Sequence, residues 1–166
     1  MNRSVVEMLA TAAREVVVGH AKASPLFYAT WSETTRDPDF EPKSTIRLLR
    51  SEGCDVDESL IHRYAELHQE HSTISLIGID EFAPWLIGLD RTFVDYDSFR
   101  SLRAEFRFVE VLTFTTPAVS DDGRCAFLEI WTEDGRHSHR GCWYWLQLRR
   151  ADFGWKLEWK NLHALS

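Results

Sequence analysis

The sequence predicts an α+β fold, with N-terminal helices packed on one face of a curved, mainly antiparallel sheet that ends in a four-stranded meander. Three observations predict it. Apolar residues recur at helical spacing near the N-terminus, at Val5, Leu9, Ala12, Ala13 and Val16, and again at Leu60, Ile61, Tyr64 and Leu67. From about residue 106 the pattern changes to period two, the spacing that places alternate side chains on one face of a strand. The β-runs are separated by Asp121-Asp122-Gly123, Asp134-Gly135 and Asp152-Phe153-Gly154, whose residues tolerate the positive φ of tight hairpin turns. At 166 residues, 44% of them apolar, the chain makes a single domain, 1–166, that can bury its own core.

Taken in order, Ser4-Val5-Val6-Glu7 fits a capping box and opens a helix that runs to about Val18, with Gly19 as a stop. Residues 32–43, polar and holding Pro38 and Pro42, read as the longest loop and a mobile element. Thr45 to Ser51 forms a short helix ended near Gly53, and Asp55 or Asp57 caps another that reaches about His71. Thr73 to Ile79 is β-branched and bounded by Gly78 and Asp80, so it reads as a strand; residues 81–89 stay ambiguous. Asp95-Tyr96-Asp97 starts a further helix carrying Phe99, Leu102 and Phe106. Four β-runs follow, at roughly 106–115, 125–133, 140–150 and 155–163. Trp155, Leu157 and Trp159 alternate with Lys156, Glu158 and Lys160, so the last run has one buried and one wet face. Cys142 to Leu146 is apolar on both sides and belongs in the sheet interior.

Charge and cysteine set the function classes. The net charge of −7 argues against a nucleic-acid partner, because phosphate neutralisation needs a basic surface. No apolar run approaches the length of a membrane span. Residues 51–100 hold 3 basic against 11 acidic side chains, −8, and so carry the whole excess. A solvated helical face explains this; so does a surface that meets a protein partner with a basic surface, for which Asp55, Asp57, Glu58, Glu66, Glu70, Asp80 and Glu81 are the candidates. Cys54, Cys125 and Cys142 are an odd set in a chain too large to need stapling, so free thiols and a reducing compartment are expected. A tight turn at Asp134-Gly135 places Cys125 opposite Tyr144, one pairing step from Cys142. Glu7 breaks the stretch that otherwise resembles a signal segment, so the chain is read as cytoplasmic.

No Gly-x-Ser-x-Gly elbow, phosphate-binding glycine loop or Cys-x-x-Cys occurs. His137 and His139 form a His-x-His pair beside a turn, and His62, Glu66 and Glu70 share a helix face, as His68 and His71 also can. A metal site needs further ligands and second-shell partners that the sequence alone does not show, so neither a metal nor any other cofactor is assigned. Glu110 and Glu129 sit on otherwise apolar strands, where a buried carboxyl would serve as a general base and a solvent-facing one would serve nothing. Five of the seven tryptophans lie between 131 and 159. Trp143 and Trp145 share a face while Tyr144 points away, and this surplus of aromatics fits core packing, an interface or a ligand pocket.

The helix at 97–104, the run Phe106 to Thr115, the Asp-Gly turns and the closing Gly154-Trp155-Lys156-Leu157 strand together resemble the C-terminal half of a small α+β cone of the nuclear-transport-factor-2-like or cystatin-like type. That superfamily includes isomerases, dehydratases, polyketide cyclases, pocket-bearing binding proteins and toxin-immunity proteins. The Asp–His dyad of its enzymes has no matching pair of positions here. The resemblance and the acidity together imply a non-enzymatic binding module, such as an immunity or antitoxin-like protein that neutralises a basic partner. The alternative is a cone-fold enzyme or ligand carrier with Glu110, Glu129, Trp143 and Trp145 around an aromatic pocket. A homodimer formed through the sheet is a third arrangement.

Overall fold

A computed structural model describes residues 3–17, 26–32, 40–67, 74–76, 82–86, 92–104, 110–133 and 141–165. The helices are α1 (Arg3–Val17), α2 (Pro42–Ser51), α3 (Glu58–Leu67) and α4 (Tyr96–Ala104), with a 3-10 turn at Ala83–Leu86. The strands are β1 (Leu26–Ser32), β2 (Ile74–Leu76), β3 (Thr92–Phe93), β4 (Glu110–Thr115), β5 (Ala118–Val119), β6 (Cys125–Glu133), β7 (Gly141–Ala151) and β8 (Gly154–Leu165). Among the described residues no helix is long and apolar enough to cross a membrane.

Local chemistry sets the helix starts. Glu41 caps α2, its carboxylate accepting from Lys43 N at 3.1 Å and Ser44 N at 2.7 Å, while Pro42 fills the first helical position, where no N–H is needed. This helix therefore begins three residues before Thr45, inside the predicted 32–43 loop. Of that loop, 33–39 lie outside the described residues, and Phe40 is buried. Of the two aspartates proposed to cap α3, Asp57 does so, accepting from Ser59 N at 3.0 Å. Asp95 caps α4 through Ser98 N at 2.7 Å. The capping box foreseen for α1 is displaced: the helix already runs from Arg3, which puts Ser4 in its first turn, and the Glu7 carboxylate occupies the space a side chain on Gly154 would need.

The described strands form one curved, unclosed sheet in the order β2-β1-β4-β6-β7-β8, with β3 on β1 and β5 on β6. β4, β6, β7 and β8 are the expected four-stranded antiparallel meander. β1, a strand the sequence reading left unassigned, runs parallel to both β3 and β4 and joins β2 to the meander. The β6–β7 register differs from the one a tight turn at Asp134-Gly135 would give. Cys125 lies opposite Arg149 and Cys142 opposite Thr132, so the two cysteines stand far apart along the ladder; residues 134–140, including that turn, are outside the described residues. All three cysteines are free.

Helices cover both faces of this sheet rather than one. Val6, Leu9, Ala12, Ala13 and Val16 of α1 pack on Leu112 and Phe114 of β4, Ala126, Leu128 and Ile130 of β6, and Tyr144, Leu146 and Leu148 of β7. The alternate residues of the same strands face the other way. Phe127 and Trp145 pack with Phe40, Ile46 and Leu49 around α2, and with Leu60, Ile61 and Tyr64 of α3. The continuous apolar character of β6 and β7 is thus the mark of strands buried on both sides. Each fully buried Leu, Ile or Phe adds about 1.5–3 kcal/mol of transfer free energy, so neither helical layer is dispensable. A small third cluster joins Val94, Phe99, Leu102 and Val111 beneath α4.

Candidate functional site

The face of the meander beneath α2 and α3 carries the polar groups of interest, because two strands put polar side chains where the period-two pattern demands apolar ones. Glu129 of β6 is only 1% exposed. Its register partner is Trp145, whose Nε1–H donates to Glu129 Oε2 at 3.0 Å. Burying a carboxylate without such a donor costs several kcal/mol, and the indole supplies the donor within an otherwise aromatic wall. Thr115 of β4 flanks the position: its Oγ1 accepts from Glu129 N at 2.9 Å and donates to Glu129 O at 3.2 Å. The wall is built edge to face. Phe40 stands 5.2 Å from Tyr64 and 6.1 Å from Trp145 between ring centroids, and Tyr64 stands 4.9 Å from Phe127.

The aromatic set of the sequence reading is divided by this geometry. Trp145 and Glu129 are joined directly. Trp143, half-buried on the same face, stacks at 5.4 Å on Trp131, its register partner. The backbone of Gly141 passes so close that Trp131 Nε1 and the Thr132 carbonyl fill the place of a Cβ, which explains a glycine at the start of β7. Trp155 belongs to the α1-side core instead, and Trp159 packs with the α2–α3 cluster. Glu110 begins β4 and pairs with Phe27 through its backbone; its side chain is outside the described part.

Next to this wall the turn between α2 and α3 is pinned to the sheet. Gln147, 2% exposed, donates through Nε2 to the Asp55 carbonyl at 3.1 Å and to Glu158 Oε2 at 2.7 Å, and its Oε1 accepts from Asp57 N at 3.3 Å. Trp159 Nε1–H also donates to the Asp55 carbonyl, at 2.9 Å, and Asn161 Nδ2 donates to Glu52 Oε2 at 2.7 Å. Sequence reading missed Gln147 and Asn161. The signal that selected Glu129, a polar residue on an apolar strand face, applies equally to Gln147.

The pinned turn displays part of the predicted acidic surface. The side chains of Asp55, Glu58 and Glu66 are exposed, whereas Asp57 is half-buried as the α3 cap. Glu58 pairs with Arg50. Glu70, Asp80 and Glu81 lie outside the described residues, as do His68, His71, His137 and His139. His62 and Glu66 are exposed on α3, and among the described residues no three His, Cys, Asp or Glu side chains gather as a metal site would require. Burial pushes the Cys54 and Cys125 thiols above their ordinary range, Glu52 adding to the effect at Cys54, so both are poor nucleophiles. No family model, curated protein or solved structure matches the chain.

Proposed function

We propose that this chain is a non-enzymatic protein-binding module, of the immunity or antitoxin-like kind, that uses an acidic surface at the α2–α3 turn to cover a basic partner. The observation that carries the reading is the pinning of that turn. Gln147 and Trp159 hold the Asp55 backbone carbonyl and Asn161 holds the Glu52 carboxylate, so the turn is preorganised and little ordering entropy is lost on docking. The acid excess of residues 51–100 supplies the long-range attraction, and the cone-type resemblance is compatible with such a role. The test uses the protein that copurifies with the chain from its host, followed by stopped-flow association. Replacing Asp55, Glu58 and Glu66 by lysine slows association roughly tenfold or more in low salt and little in high salt. An unchanged on-rate, or a partner that is itself acidic, refutes the reading.

One observation favours a second reading, that of a cone-fold enzyme or carrier of an apolar small molecule. Glu129 is a buried carboxylate set among aromatic rings, the type of group that acts as a base in a closed site. Thermal-shift screening with apolar small molecules tests it: a compound that raises the Tm of the parent chain but not of Glu129→Gln supports it, and a screen without such a compound removes it.

A further inference from the structure

We draw no further inference here: the strongest candidate, the shallow and largely apolar groove beside α4 lined by Val94, Asp97, Ser98, Ser101 and Leu102, carries nothing because nothing in the structure shows what covers it.

Discussion

At the scale of single residues, the Glu129–Trp145 bond decides whether an acidic group is tolerated inside the sheet face. Glu129→Gln keeps an acceptor for the indole N–H, whereas Glu129→Ala leaves that donor buried and unpaired, which costs about 1–3 kcal/mol. Urea titration is therefore expected to rank parent, Gln and Ala in that order of falling stability, and an Ala variant as stable as Gln would show the bond to be idle. Gly141 is a second test. A Cβ there meets the Thr132 carbonyl and the Trp131 ring, backbone and packed indole that yield little, so Gly141→Ala is expected to destabilise by about 1–3 kcal/mol. Glu129 was visible in the sequence as a candidate because it interrupts an apolar strand. Its partner was not, since the pairing of 129 with 145 depends on the length of the 134–140 connection.

At the scale of elements, what was legible followed from local chemistry. The cap of α4 at Asp95, the end of α2 at Gly53 and, within the described residues, the strands of the meander are written in adjacent residues and appear where periodicity places them, although the β6–β7 register is not that of a tight Asp134-Gly135 turn. β1 was not legible. Leu26-Phe27-Tyr28-Ala29-Thr30-Trp31-Ser32 has no hairpin partner beside it among the described residues, and its parallel neighbour β4 is more than seventy residues away in the chain. Parallel pairing leaves no turn signature to read. Pro42 misled because a proline inside an acidic stretch suggests a loop, while with Glu41 before it the same residue starts a helix. The caps also set a pH response. Hydrogen bonds from Ser44 and Lys43 hold Glu41 below its ordinary value of 4.5, and bonds from Ser98 hold Asp95 below 3.8. A depressed folded-state pKa contributes stability that is full above the unfolded value and is lost as pH falls through the folded one. The melting temperature is accordingly expected to fall as pH drops below about 4.5, and Glu41→Gln and Asp95→Asn, which remain unionised, to flatten that acid limb while lowering the plateau near neutrality. An acid limb unchanged by both substitutions would remove the caps as its source.

At the scale of the molecule, the sheet is the common wall of two cores. α1 covers one face and α2 with α3 the other, so each residue step along β6 and β7 alternates between them. The sequence reading placed all helices on one face because periodicity within a helix shows which of its sides is buried, not which side of the sheet receives it. The apolar-on-both-sides pattern of Cys142 to Leu146 held the missing information, since a strand of that kind needs a cover on each face. This architecture makes a definite mechanical demand: loosening either cover exposes one face of strands that the other cover still needs flat and paired. The two cores should therefore melt together. Leu9→Ala on the α1 side and Leu60→Ala on the α3 side, both fully buried, are each expected to cost about 2–5 kcal/mol. Because the sites lie on opposite faces and share no contacts, the double variant should lose close to the sum of the two. Far-ultraviolet circular dichroism and tryptophan fluorescence, the latter reporting Trp155 in one core and Trp145 in the other, should follow one coincident urea transition in all three variants. Transitions that separate in Leu60→Ala, with the α1-side core persisting after the α2–α3 side has opened, would mean that the acidic turn is carried on a layer able to detach, and a rigid docking surface there would no longer be tenable.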